Sequence, residues 1–574
     1  MTRLPAFPGA LERSWSFLAD AVVGGCILAG FYCVVSTARY WLGASTPVAV
    51  ISLSPAALPA YALYSLIRIA VAYFLSLMLA VGYAYLAARV KMLESFLIAL
   101  LDILQSIPVL SFLPGVMLTM IALFPTRQMG VELGAILLIL TGQVWNMAFS
   151  FYSSLKSIPR ELREAASIYH YSRWQRFFEL ELPYGTIGLV WNSMVSVAGG
   201  WFFLMACEMF VLGKRDFRLP GLGSYLQTAA SAGDTRAILW GIGTMIGVVI
   251  LIDQLVWRPL IAWANKFKFE TVESVPPPQS PVLQLIRGSR ALQRLSRRTL
   301  LPMGERLSRY FARRPDTHGR NQAPQRWKWI AAALAAASVP LVLYGAARGL
   351  LLLRGTTGPE LVLILKGASA TFLRVWAALL LGALWAVPAG VAIGGNPALA
   401  RFAQPAAQIL ASVPATALFP VLLLALIQLG GGLGTASILL MLLGTQWYIL
   451  FNVIAGTMAI PSDLREAARI FRFSRSERWR TMLLPGIFPY LVTGLTTASG
   501  GAWNASIVAE YFNFKGHTLS TLGLGSQISS ATDSGQFNVL LVCTIVMAAV
   551  VVCINRLVWR PLYRLAETRY RLSD

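Results

Sequence analysis

Charge is what this sequence has least of for its size: Asp, Glu, Lys and Arg make up 13% of 574 residues, while 56% are hydrophobic. A soluble multidomain protein could not cover its surface with so little charge, and one membrane bundle of ordinary size would not need so long a chain. The composition is that of a polytopic membrane protein. Histidine is rarer still, and the three copies, His170, His318 and His517, are scattered singly. They build no acid, histidine or metal constellation of the kind a membrane transferase needs. The five cysteines, Cys26, Cys33, Cys207, Cys543 and Cys553, all lie in apolar runs without metal-type spacing, which leaves them as small core residues. No Gly-x-x-x-x-Gly-Lys-Ser/Thr loop occurs, so the chain does not bind ATP in the P-loop manner. The ten-residue alternation of an outer-membrane barrel is also missing. Apolar runs of about 20 residues or more admit only helices. No small-residue cleavage site follows the first of them, which therefore reads as a retained span rather than a signal peptide.

What is present is a repeat. Residues 158–183, IPRELREAASIYHYSRWQRFFELELP, return at 460–485 as IPSDLREAARIFRFSRSERWRTMLLP. Glu164 and Glu466, Pro183 and Pro485, and Trp257 and Trp559 are each 302 residues apart. A register held over about a hundred residues is an internal duplication. Each copy is a polar segment in an oily chain. A proline suited to a first helical turn precedes Leu-Arg-Glu-Ala-Ala, and a basic-aromatic stretch then ends at Leu-Pro before the next apolar run. The pattern predicts a short helix, a turn and a second amphipathic helix where the chain leaves and re-enters the membrane.

The remaining pattern predicts an all-α polytopic membrane protein of about twelve transmembrane helices, arranged as two parallel-repeat six-helix halves. The domain boundaries read as 1–264 for the first half, 265–327 for a linker and 328–574 for the second half. In the first half the spans are Ser16 to Tyr40, Ala60 to Ala88, about Ile107 to Phe124, Val131 to Leu155, Gly185 to about Phe210, and Ile238 to Trp263. In the second they are about Trp329 to Leu353, Leu361 to Ile393, Ala411 to Leu429, Gly434 to Met458, Ile487 to Phe512 and Val539 to Trp559. Glu94 to Gln105 reads as interfacial. Pro108 and Pro114 recur as Pro414 and Pro420, which predicts kinks that either face a cavity or serve packing alone. An even number of spans per half puts both polar loops, the linker and both termini on one side, and the halves are related by an axis along the membrane normal. That side is marked by the linker: Lys266 to Lys328 holds fourteen Lys and Arg against Glu270, Glu273, Glu305 and Asp316. Within it, Leu283 to Leu307 has the spacing of an amphipathic helix on anionic lipid. Aromatics are sparse and no recognition module is visible, so nucleic acid is not its partner.

An EAA loop ending in Leu-Pro between two spans resembles the permease subunit of a binding-protein-dependent ABC importer. The Trp, Glu and Gly-Leu-Gly that follow it (Trp201, Glu208 and Gly221 to Gly223; Trp503, Glu510 and Gly523 to Gly525) resemble the nitrate, sulfonate, taurine and bicarbonate branch. The resemblance covers nearly the whole chain, twice, and implies two permease domains fused in one chain of a bacterial inner membrane. It further implies two cytoplasmic ATPase subunits that carry ATP and Mg, no cofactor in this chain, and a periplasmic or lipid-anchored solute-binding protein. The ATPase-coupling residues it implies are Arg163, Glu164, Ala165 and Ala166, with Arg465, Glu466, Ala467 and Ala468. One departure is plain: the family's glycine four residues after the second alanine is His170 here and Arg472 in the repeat, which leaves the ending of that helix open.

Inside the spans, a carboxylate costs roughly 2.5–3.5 kcal/mol at the bilayer centre, so Glu208 and Glu510 need a partner or water. Arg68 and Arg374, matched near the outer ends of the long second spans, are candidates to guide an anion or to pair with those acids. Both readings stand at this level. Trp201 and Trp503 are candidates for the same path, with core packing as the plainer role. Gln143, Gln446, Asn146, Asn192 and Asn504 are placed between the halves. The substrate expected by resemblance is a small anion or organic anion; a neutral or cationic vitamin precursor is the alternative. A secondary transporter would instead show broken helices with charged groups near mid-membrane.

Overall fold

A computed structural model describes residues 50–106, 108–125, 128–212, 215–267, 280–312, 357–428, 430–514 and 517–569, with isolated positions before residue 50 and at 340 and 347. The spans expected at Ser16 to Tyr40 and Trp329 to Leu353 lie outside the described residues, as does His318.

In the first half α1 is Leu58–Arg89. Pro59 sits in its first turn, where the missing N–H costs nothing, and no second proline interrupts it before Arg89. Then come α2 (Lys91–Ser106), a tight turn at Val109–Phe112, α3 (Leu113–Leu123), α4 (Met129–Ser157) and α5 (Arg160–Ile168). The long helix α6 (Arg173–Glu208) ends at a two-stranded antiparallel hairpin, β1 (Val211–Leu212) and β2 (Arg215–Asp216). Helices α7 (Leu222–Ala232) and α8 (Thr235–Phe267) complete the half. The linker contributes α9 (Pro281–Gly288), α10 (Arg290–Leu295) and α11 (Leu301–Ala312). In the second half the order is α12 (Gly358–Gly395), α13 (Pro397–Ser412), α14 (Ala415–Gln428), α15 (Leu433–Ala459), α16 (Ser462–Ile470) and α17 (Arg475–Ala509). The hairpin β3 (Tyr511–Phe514) and β4 (His517–Ser520), α18 (Leu524–Ser534) and α19 (Phe537–Ala566) close the chain.

Among the described residues eight helices are long and apolar enough to cross a membrane, or nine if the bent pair α13–α14 counts as one. The sequence expected one span from about Ile107 to Phe124, kinked at Pro108 and Pro114, and the structure replaces the kinked span by a break. The apolar run is split by the turn at Val109–Phe112, and α3 has only 11 residues, about 16 Å at 1.5 Å per residue against a hydrocarbon core of roughly 30 Å. In the second half α13 and α14 meet at a 79° bend just before Ala415. Pro108 and Pro414 stand at these breaks, because a proline forces the residue before it out of helical geometry. No charged residue stands at either break.

The amphipathic helix expected after each EAA turn does not end before the membrane. It runs into α6 and α17 through a π turn, at Arg176–Glu181 and Arg478–Leu483. Further π turns sit at Asp253–Trp257 in α8, Asn555–Trp559 in α19 and Ser296–Leu300 in the linker. All five end two residues before a proline: Pro183, Pro485, Pro259, Pro561 and Pro302. A proline inside a helix has no N–H to donate and its ring clashes with the carbonyl four residues back, so a wider i→i−5 turn ahead of it relieves both.

In each half one central helix holds the others: α4 packs against α1 and α6, and α15 against α12 and α17. Close approach needs small residues. A Cβ on Gly494 of α17 would lie 3.0 Å from the Tyr448 carbonyl oxygen of α15, and one on Gly456 would lie 2.9 Å from the Tyr490 ring. The halves then meet crosswise. Helix α6 faces α13 and α14, while α17 faces the Val109–Phe112 turn.

Candidate functional site

Between the halves lies a cavity of about 120 Å³. Met194, Phe202 and Phe203 of α6 form one wall, Gln408 of α13 another, and Tyr448 of α15 with Asn504 of α17 a third. The broken helices make this geometry: Val413, Pro414 and Ala415, at the bend, line it directly. Gly199 and Gly501, matched in the repeat, also border it, and a Cβ on Gly199 would stand 3.4 Å from the Tyr448 hydroxyl oxygen. The amide Oδ1 of Asn504 accepts from the Leu110 N–H across the half-to-half boundary at 3.4 Å, and Gln408 Nε2 lies 3.1 Å from Met194 Sδ. None of the lining residues is charged. Such a surface offers amide and hydroxyl dipoles and no group that could hold a solute by ion pairing.

The arginines and glutamates lie elsewhere, beneath the outer loops. In the first half Arg68 of α1 and Glu208 at the end of α6 are both buried. Arg68 Nη1 donates to Glu208 Oε1 at 2.8 Å, Ser65 Oγ donates to the same oxygen at 2.6 Å, and the Gly223 N–H donates to Glu208 Oε2 at 2.7 Å. Ser65 Oγ also accepts from the Leu222 N–H at 3.0 Å, so the cluster fastens the start of α7 to α1. The second half repeats this with Arg374, Glu510, Thr371 and Gly525, at 2.9 Å for Arg374 Nη1 to Glu510 Oε1 and 2.9 Å for the Gly525 N–H to Glu510 Oε2. The Gly-Leu-Gly motif is explained locally: a Cβ on Gly221 would lie 2.3 Å from the Glu208 carboxylate, and one on Gly523 2.1 Å from Glu510 Oε2.

On the other face, α5 and α16 are the short helices of the EAA loops. Both end in a left-handed residue, His170 at φ 51° and Arg472 at φ 50°. The Tyr171 N–H reaches the Ala166 carbonyl at 2.9 Å and the His170 N–H reaches Ser167 at 3.0 Å; the repeat shows the same bonds. This is the Schellman ending that glycine normally makes. Arg163 Nη2 donates to the carbonyls of Leu155 and Lys156, each at 3.0 Å, and Arg465 Nη2 donates to Thr457, so each arginine ties its short helix to the end of the preceding span. Ala166 and Ala468 are buried, Ala165 and Ala467 half-buried, and Glu164 and Glu466 exposed. Beside the glutamates Ile168, Tyr169, Ile470 and Phe471 are each more than 70% exposed.

The structure thus sorts the sequence candidates into three places. Glu164 and Glu466 stand exposed on the short helices of the EAA loops, while Arg163, Arg465, Ala166 and Ala468 are half-buried or buried. Arg68, Arg374, Glu208 and Glu510 join in two outer clusters, none lining the cavity. Trp201 and Trp503 are core residues, 2% and 0% exposed. Of the polar residues placed between the halves, Asn504 reaches across. Three others bond locally: Gln143 and Gln446 to Ser76 and Trp385 of their own halves, and Asn192 to Gly188 of its own helix. Sequence reasoning missed Glu132, a second carboxylate on Arg68, although an acid inside an apolar run was the available signal. It also missed Tyr448 and Gln408, which carry no repeat or charge signature. Among the described residues no group of histidine, cysteine or acids could hold a metal ion.

Two helical halves built from one repeat and closing on a neutral cavity make this a multi-pass membrane protein with an internal duplication. The chain belongs to the family of binding-protein-dependent transport system inner membrane components, whose domain it carries twice, at residues 72–256 and 378–561. It is similar to the nitrate import permease protein NrtB of Leptolyngbya laminosa, 29% identical over 190 residues that cover 33% of this chain and 64% of the relative. It is also similar to the bicarbonate transport system permease protein CmpB of Synechococcus elongatus, 29% identical over 33% of this chain and 65% of the relative. A third relative is the taurine transport system permease protein TauC of Escherichia coli, 27% identical over 32% of this chain and 62% of the relative. In each case the chain spans just under two thirds of the relative's length.

Proposed function

We propose that this chain is the complete permease pair of an ATP-driven importer in a bacterial inner membrane, moving a small anion or organic anion through the cavity between its halves. The observation that carries the reading is the doubled family domain, closed on one cavity and presenting two equivalent apolar-tipped helices on the same face. Two ATPase subunits bind α5 and α16, with Ile168 and Tyr169, and Ile470 and Phe471, entering a groove in each. ATP and Mg stay on those subunits, and this chain is not an enzyme. Closure of the ATPase pair pulls the two helices together, and Arg163 and Arg465, tied to the ends of α4 and α15, pass that motion to the half-to-half interface. A solute-binding protein delivers the substrate from outside. The names of the relatives, for nitrate, bicarbonate and taurine, support an anion.

The uncharged cavity supports one second reading, a neutral or cationic heterocycle, since nothing in its lining selects for negative charge. Uptake of labelled nitrate, bicarbonate and taurine, by cells with and without the gene, separates the two. Docking is tested by Ile168→Asp with Ile470→Asp. Both side chains are exposed, so insertion survives while co-purification of the ATPase falls at least about tenfold, the scale of losing a buried interface anchor. Undiminished co-purification sinks the docking assignment.

A further inference from the structure

The two outer clusters are not equal, and the difference falls on one edge of one side chain. In the first half Arg68 engages all three guanidinium nitrogens: Nε and Nη2 hold the two oxygens of Glu132 at 2.6 and 2.7 Å, a bidentate fork, while Nη1 serves Glu208 Oε1 and the Pro220 carbonyl, each at 2.8 Å. Arg374 repeats the Nη1 pattern, with Glu510 Oε1 at 2.9 Å and the Leu522 carbonyl at 2.7 Å. It does not repeat the fork. Glu132 aligns, at the 302-residue spacing of Glu164 and Glu466, with Gly434. On that edge of Arg374 Nη2 donates to Thr521 Oγ1 at 2.9 Å, and among the described residues nothing accepts from Nε. A Cβ on Gly434 would meet nothing nearer than Thr521 Oγ1 at 3.8 Å and Arg374 Nη2 at 3.9 Å. The Arg374 side chain is 15% exposed, whereas that of Arg68 is 1% exposed.

We propose that the Nε–Nη2 edge of Arg374 is a binding subsite for a small oxyanion, present in the second half alone, with the ion standing where the Glu132 carboxylate stands in the first. The first half is the internal template: it shows that this fold, at this depth, places two oxygens against that edge at hydrogen-bond distance, and that one guanidinium there sustains two carboxylates. Guanidinium forks match carboxylate-like groups bidentately and hold them more firmly than a neutral donor pair would. The ions that fit are those with two oxygens on one centre: a carboxylate, bicarbonate, nitrate or a sulfonate head. The site lies under the outer loop that carries Thr521 and Leu522, so it meets an ion before the cavity does. It deepens the anion reading above and rests on it only for the choice of ions.

The test uses the full chain in lipid nanodiscs, with nitrate, bicarbonate and taurine as probes and chloride as the reference. Thermal stability should rise saturably with at least one of the three, because a ligand that binds only the folded state stabilises it by mass action. Gly434→Glu places the missing carboxylate on the fork, in the first turn of α15 where an acid is favourable, and apparent affinity should fall at least about tenfold. Gly434→Ala, whose Cβ meets no atom closely, should behave as the wild type. A stability rise undiminished in Gly434→Glu, or absent in the wild type for all three ions, overturns the subsite. Should Gly434→Glu fail to fold, Glu132→Gly supplies the reciprocal reading: it opens a second fork, and calorimetric stoichiometry should go from one ion to two, with an unchanged stoichiometry overturning the proposal. Uptake reads the parent hypothesis separately. Anion uptake that survives Gly434→Glu unchanged defeats the subsite and leaves the anion permease standing; intact binding without uptake of any of the three defeats the anion permease and leaves the subsite.

Discussion

His170 and Arg472 hold backbone geometry that side chains resist, at φ 51° and 50°. The left-handed conformation costs an L-residue roughly 1–2 kcal/mol because Cβ crowds the following carbonyl. Both residues nevertheless close a Schellman turn with all its bonds made, so the surrounding loop must over-determine them. Replacing each by glycine removes the crowding and keeps the turn. His170→Gly with Arg472→Gly should raise stability by about 1 kcal/mol per site, less glycine's extra unfolded-state entropy. Thermal unfolding of the double variant, and slower amide exchange at residues 170–173, would check it; a melting temperature below that of the wild type would show that the side chains hold the turn by contacts of their own. The sequence exposed the question here and not the answer. A missing glycine is visible in the letters, while the hydrogen bonds that let histidine or arginine stand in for it are not. The same limit applied to Arg68, whose need for a partner was legible from the cost of a charge in lipid, although Glu132 could be joined to it only in three dimensions.

At the level of elements, periodicity and proline placement located most helices but not their bends. The repeated prolines at 108 and 414 were read as kinks within a span, and the structure makes them breaks, with α13 and α14 at 79°. Hydropathy could not report this because the chain is apolar on both sides of the bend. The π turns were equally hidden, yet their cause was in plain sight, a proline two residues on in all five. That cause can be tested in α6. Phe177, inside the π turn, packs edge-on against Tyr85 of α1 with ring centroids 5.0 Å apart. Pro183→Ala restores the N–H and removes the clash, and reversion to α geometry should turn Phe177 by about 100°, one residue's rotation at 3.6 per turn. Disulfide formation between cysteines placed at 85 and 177 should therefore drop several-fold when Pro183→Ala is added. Equal yield with and without the proline means that packing, and not the proline, sets the π turn.

On the scale of the whole molecule, a duplicated sequence has produced halves that are alike in fold and unlike in surroundings, and the linker adds to the difference. Its helices bond to the first half: Ser308 Oγ donates to Glu179 Oε1 of α6 at 2.8 Å, and Ser289 Oγ to Asp20 at 2.5 Å. The bond to Glu179 puts the linker on the face of the EAA loops, the side that an even number of spans per half requires. The expected amphipathic stretch from Leu283 to Leu307 is real but interrupted, with α9 ending at Gly288 and α10 starting after Ser289. Over residues 281–312 it carries Arg287, Arg290, Arg294, Arg297, Arg298, Arg306 and Arg309 against Glu305, and Leu295, Leu301 and Met303 are exposed. Exposed apolar and basic side chains on one helix suit an anionic lipid surface, where each basic residue contributes about 1 kcal/mol. In nanodiscs, trypsin should cut at Arg297 and Arg298 several-fold more slowly with anionic than with zwitterionic lipid, and added salt should abolish the difference as it screens the surface. Thr299→Cys, at an exposed position, fixes the side: in intact cells it should be silent to a probe confined to the outer face and reactive once the membrane is opened. Labelling from outside would refute the six-plus-six arrangement, while equal cleavage in both lipids would leave the topology intact and remove the lipid from the linker's role.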